Sequence, residues 1–388
     1  ESGINWDRTR QGARQVTASL GPDPTPGPVE QRRIADAERL AELWLDTTCD
    51  FPQVPARAVA WSRAEWVETT MKSWEIVVEP IVAAIARAME GLMSTDQETP
   101  PELAGMTAML QPMLKSMAGS MYGMQFAQAL GQLSGRVVSA TEIGLQLLPS
   151  PQVALLPTNV QAFADGLDQT IDDVTLYLTL REAARQRLFA SVGWLAPQMH
   201  ALLAHFAREI TIDAGALESA VDIDDLTQMD SDKLAEIAQA LQGKLFAPVR
   251  TEVQQGVLDR LETLLALVEG WVDEVVAQAA GAWMPSASAL AETVRRRRGT
   301  DGPAELVFGA LVGLELRPRR VRDAANLWAA LTQDRGVASR DAVWHHPDLI
   351  PTSSDLDDPL GYAEHGHQVV PDELDAELQK LLDQEGGQ

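Results

Sequence analysis

The stretch Thr179–Phe189, TLREAARQRLF, decides how this chain is read. On a helix turning about 100° per residue it continues a stripe of Leu178, Arg181, Arg185, Leu188 and Val192, spaced three and four apart. Leu176, Leu180 and Ala184 lie on the other side, so the segment is apolar on two faces, as interior helices are. Two arginines one turn apart on such a helix pose an electrostatic problem. Like charges at that spacing repel by roughly 0.3 kcal/mol even when exposed. Buried without partners, each would cost several kcal/mol, and arginine does not escape by losing its proton. Carboxylates are therefore expected beside them. The plainer alternative is a less buried helix whose arginine stems lie along apolar surface with their heads in water.

Glu182, three residues before Arg185, is one candidate partner, but it cannot satisfy both arginines alone. A second helix, in LDRLETLLALVEGWVDEVV, has the core stripe Leu258, Leu261, Leu265, Val268, Val272 and Val275. Glu269 borders that stripe, Asp273 lies farther off and Glu274 points away, so Glu269 is expected to meet the buried arginines.

The 388 residues are ordinary in apolar and charged content, at 45% and 22%. Proline-rich and acidic turns separate runs with helical periodicity, and only WEIVVEPIV and PQVALLP compete as strands. A mainly α protein with little or no sheet is expected. An N-terminal helical region over 1–150, a helical core over 151–350 and an acidic C-terminal segment with one helix over 351–388 describe its organisation. A net charge of −25 argues against nucleic acid as the main partner, because the field repels phosphate. A lone Cys49 excludes an internal disulfide framework and a cysteine-built metal site. No segment reaches the roughly 18 apolar residues of a membrane span, and ESGINWDRTR lacks the pattern of a signal peptide. The expected location is the cytoplasm.

Six methionines between Met106 and Met124 share one helix face, read as core in preference to a pliable groove. The acidic run Val221–Asp232 lacks the glycine and final glutamate of a calcium loop. His345–His346 and His365–His367 are weak metal candidates. Arg295–Arg298 is read as the cationic end of a helix in preference to a phosphate-binding surface.

LREAARQRLF resembles the zinc helix of an actinobacterial zincin-like family, whose members are labelled zinc-dependent metalloproteases or proteins associated with deazaflavin-coenzyme synthesis. LLALVEGWVDEVV resembles that family's second motif, and NWDRTRQGARQ and DAVWHHPDLIPTSSDLDDP extend the similarity along the chain. The resemblance implies a zincin-like helical core, a His-Glu-x-x-His zinc site and a third, carboxylate ligand. The sequence departs from it where it matters chemically. Arg181 and Arg185 stand in place of the histidines, and Trp271 follows Glu-Gly where a histidine is usual. Glu182 keeps the position of the general base and Glu269 that of the carboxylate ligand. Arginine offers a metal no lone pair, and two guanidinium charges equal the charge of a zinc ion.

The leading expectation is thus a catalytically degenerate zincin-like metallopeptidase homologue without metal or other cofactor. It would serve as a binding or scaffold protein, with Arg181, Arg185, Glu269 and Trp271 as the binding set and Glu182 as a vestigial base. A hydrolase with a non-standard site, and a binder of a small anionic ligand, are the alternatives. Which of these holds, and hence whether the chain is an enzyme, branches on metal content.

Overall fold

The helix containing the two arginines is long, capped and surrounded. In this computed structural model, which describes residues 3–94, 119–210, 251–300, 308–309 and 320–366, it runs Ile171–Ser191 (α5). Thr170 caps it by accepting from the Asp173 amide at 3.1 Å, with Asp172 and Asp173 in the first turn, where the helix dipole favours acids. The hydroxyls of Thr175 and Thr179 bond back to carbonyls one turn earlier, at 2.7 Å each, so they enter the interior satisfied. From Tyr177 to Phe189 every residue is buried. A helix polar and apolar in turn on all sides is stable there only if neighbours match each face.

Those neighbours come from the whole chain. Trp6–Ser19 (α1) starts at the cap of Asn5, which accepts from the Arg8 amide. Pro28–Leu45 (α2) places Pro28 in its first turn, where no amide hydrogen is needed. A two-residue strand Val59–Ala60 (β1) precedes the long helix Arg63–Ser94 (α3), which absorbs WEIVVEPIV, Pro80 included. Helical residues 119–134 follow. The PQVALLP stretch forms Ala154–Leu155 (β2), parallel to β1, and then Pro157–Ala164 (α4). After α5 come Leu195–Arg208 (α6), Glu252–Gly281 (α7) with a Thr251/Gln254 capping box, Ala287–Thr300 (α8), Val321–Ala342 (α9) and Pro359–His365 (α10). The fold is mainly α, and its short strands serve to hold one loop in place, as shown below.

Buried residues from Ala13 to Ala363 join in one apolar cluster. Indole groups tie it together: Trp66 donates to the Ala140 carbonyl at 3.2 Å and Trp328 to the Leu267 carbonyl at 2.9 Å. α7 and α9 approach closely at Gly270, where a Cβ would lie 2.6 Å from that of Ala324. The glycine of the Glu-Gly pair is needed for this helix contact. Among the described residues, no helix is long and apolar enough to cross a membrane. The calcium-like run 221–232, the helix of the acidic C-terminus and most of the methionine stripe lie outside the described residues.

Candidate functional site: a buried arginine–carboxylate cluster

Arg181, Glu182, Arg185 and Glu269 meet where α5 and α7 cross. Arg185 grips Glu269 with two bonds, Nε to Oε1 at 2.8 Å and Nη2 to Oε2 at 3.2 Å, and its Nη1 reaches Glu182 Oε2 at 2.9 Å. Arg181 donates to Glu269 Oε2 at 3.1 Å and to Asp273 Oδ1 at 2.6 Å. Asp273, which the wheel placed farther off, is thus a full member. A long guanidinium stem reaches past the edge of the apolar seam, where a carboxylate one turn after Glu269 is the next neighbour. Arg298 of α8 closes the cluster with two bonds to Asp273, at 2.8 and 3.2 Å, and lies 3.5 Å from Glu269.

Glu182 is held from every side. Its Oε1 accepts from Thr141 Oγ1 at 2.8 Å and Gln186 Nε2 at 2.9 Å, and its Oε2 accepts from Ser139 Oγ at 2.7 Å as well as Arg185. The residue is 0% exposed. The small sheet explains the two hydroxyls: Ser139 bridges to Leu155 of β2, and Ala140 N–H donates to Ala154 O at 3.0 Å. That pairing pins residues 138–140 over α5. Four donors occupy the lone-pair directions a carboxylate has.

Three guanidiniums (Arg181, Arg185, Arg298) face three carboxylates (Glu182, Glu269, Asp273), so the cluster is neutral as a unit. Burial alone would push the Glu269 carboxyl up, but Arg185, Arg298 and Arg181 outweigh it and hold it below its ordinary range. Asp273 is likewise opposed by burial and held well below the usual carboxylate range by Arg181 and Arg298. Burial opposes the charge of Arg181 and Arg185 too, yet the facing carboxylates raise both above the ordinary arginine value.

These directions fix a pH dependence. A carboxyl depressed in the folded state stabilises fully above its unfolded value, about pH 4, and that contribution fades as pH falls towards the folded value. Glu42, raised by burial against the pull of Arg187, works in the opposite sense. Removing a depressed group with Asp273→Asn should therefore make the loss of stability between about pH 5 and pH 3 shallower than in the wild type. Urea midpoints across that range check it, and an unchanged slope would mean that Asp273 is not held down.

Two further arginines of the same region act elsewhere. Arg187, in the stretch that opened the reading, is 1% exposed and pairs with Glu42 and with Asp46 at 2.7 Å, tying α5 to α2. Trp271 is not with the arginines at all. Two residues from Glu269, it faces the other side of α7, where its indole donates to Asp341 Oδ1 at 2.8 Å beneath the Arg340 guanidinium. Asp341 also accepts the Asp50 amide and Arg340 donates to the Thr48 carbonyl, so this second buried pair anchors the turn after α2. Arg298 was hidden in sequence within the run Arg295–Arg298. Four consecutive helical residues cover the whole circumference, so one of them had to face inward. Arg295 and Arg296 pair with Glu292, and Arg297 packs on Phe163 beside Glu142.

Zinc ligands are lone-pair donors on neutral imidazole, thiolate or carboxylate. On α5 the side chains aimed at Glu269 are guanidiniums, which have none, and Glu269 already accepts from both. The donor set does not fit a zinc ion. Among the described residues no three His, Cys, Asp or Glu side chains form a metal-holding group. A cavity of about 40 Å³ beside Ser139, Arg181 and Arg298 has room for little more than water.

A mainly helical chain whose central helix carries this crossing defines a helical scaffold with a largely buried polar centre. It belongs to the zincin-like metallopeptidase family, which it matches over residues 4–363. Its fold is similar to the crystal structure of a candidate hydrolase with a novel fold from Chloroflexus aurantiacus, at 18% identity and a TM-score of 0.63, over 93% of this chain and 98% of that one. A search of curated proteins finds no match.

Proposed function

We propose that this family member has given up metal-dependent hydrolysis and works as a binding or scaffold protein, with the ion cluster standing where the zinc would. One observation carries the reading: the two side chains at the positions resembling the histidine ligands are guanidiniums, and both donate to the carboxylate, Glu269, that would have been the third ligand. The state of Glu182 supports it. A general base must offer a free lone pair to a water within hydrogen-bond reach, whereas this carboxylate has four donors and no exposed surface. Without a Lewis acid to polarise a carbonyl or lower the pKa of water, such a base is poorly equipped for amide hydrolysis. The cytoplasmic location belongs to the same proposal.

The reading of a small anionic ligand held by the arginines has less support. Arg181, Arg185 and Arg298 each bond a carboxylate of this chain, and an incoming anion would have to displace one of them. The experiment is elemental analysis of the purified protein together with cleavage of an unfolded protein substrate, with and without chelator. Expected are no stoichiometric zinc and no chelator-sensitive cleavage. One equivalent of zinc lost on mutating Glu269 would overturn the proposal.

A further inference from the structure

On the side of α7 away from Glu269, near its N-terminal half, an open cleft of about 630 Å³ lies between α6, α7 and the loop 347–357. That volume is typical of ligand-binding sites. Trp194 lines the cleft as the outermost ring of a stacked aromatic platform. Trp194 stacks on Trp344 with ring centres 6.4 Å apart and 26° between planes, and Trp344 stacks on Trp328 at 5.3 Å and 23°. The Trp194 indole N–H is spent on the Trp344 carbonyl at 2.8 Å. Trp194 stays partly exposed, and its ring packs on the buried Trp344, which is itself backed by Trp328. Leu264, Ile350 and Pro351 continue the apolar wall.

The rim is acidic and braced. Asp259 and Asp357 line the cleft, and the loop behind adds Asp348, Asp355 and Asp358. Against these five carboxylates stand Arg260 in the lining, Arg320, and the His346 ring 3.4 Å from Asp348. Arg320 bonds Asp357 at 2.7 Å and the Ser353 carbonyl at 2.7 Å, while Thr352 N–H donates to Asp355 at 2.7 Å. The loop is thus set before any ligand arrives, which lowers the entropic cost of binding.

We propose that this cleft docks a cationic apolar segment of a partner protein, an arginine or lysine flanked by aliphatic residues, with the cation over the Trp194 ring and against Asp259 and Asp357. An aromatic ring and carboxylates lining one cleft attract a cation by quadrupole and charge together, and the aliphatic neighbours fill the wall. The chemistry follows from the platform and the rim and owes nothing to the metal question at α5.

Titration of the full chain with the capped peptide acetyl-Leu-Arg-Leu-Pro-amide, read by calorimetry and tryptophan fluorescence, tests it. Saturable binding is expected, at least about tenfold tighter than that of the same peptide with glutamate for arginine, and weakening with salt. Trp194→Ala and Asp259→Lys should each cost about tenfold, and Trp194→Phe should retain most of the affinity. Asp259 is exposed, so its variant keeps the test valid if removing Trp194 perturbs folding. No saturable binding, equal binding of the glutamate peptide, or an Asp259→Lys variant that binds like wild type would overturn the proposal.

Discussion

The double variant Arg181→His/Arg185→His is expected to take up one equivalent of zinc, and the wild type none. The exchange is balanced in charge: two cationic side chains leave, and a divalent ion replaces them between α5 and α7. It is also balanced in geometry. The two positions lie one turn apart on one helix face, and Glu269 sits within 3.2 Å of both guanidiniums. Two imidazoles and one carboxylate make a zinc site with a position left open. Arg298 still neutralises Asp273 through its two bonds, and Glu182, which loses Arg185, keeps the Ser139, Thr141 and Gln186 donors beside the incoming ion. Elemental analysis after dialysis, with the melting temperature measured with and without added zinc, checks it. Metal-dependent stabilisation follows because zinc binds the folded chain far better than the unfolded one. A folded double variant that stays metal-free would show that the crossing does not have the geometry of a metal site, and would remove the main support for the proposed ancestry of the cluster.

The second large effect is the loss of the shared anion. Glu269→Gln should destabilise the protein by about 3–5 kcal/mol at neutral pH, because Arg185 loses its bidentate partner and Arg181 one of its two partners inside the fold. An amide of the same shape leaves packing intact, so the cost is electrostatic. Replacing Arg181, Arg185, Glu182 and Glu269 together by apolar residues of similar volume should cost much less than that single change, since only the Arg298–Asp273 pair then remains and no charge is stranded. Denaturant unfolding of both variants decides it. If the single variant is as stable as the wild type, the cluster is not holding α5 against α7.

The helices were legible because their causes are local. Caps such as Thr170 and Thr251, a proline opening α2 and apolar residues three and four apart are written in consecutive residues. The demand for carboxylates near Arg181 and Arg185 was legible too, because it rests on the cost of burying charge and not on any particular partner. Glu269 could be picked as the acid at the edge of an apolar stripe. Asp273 and Arg298 could not. Their membership depends on how far a guanidinium stem reaches and on the angle at which α8 returns across α7, and neither is set within one helix. Trp271 shows the reverse error: the resemblance, which has a histidine after Glu-Gly, put it with the site, while the helical turn carries it to Asp341.

The chain alone therefore determined a helical protein with two arginines that had to find acids inside it, since periodicity and the desolvation of charge follow from residue type and spacing. Only the tertiary structure decided which acids answered, that Ser139 and Thr141 saturate Glu182 by way of a two-residue strand, and that three tryptophans far apart in sequence stack into one platform. Those outcomes depend on contacts between segments separated by tens to hundreds of residues, and no local rule fixes the angles at which such segments meet.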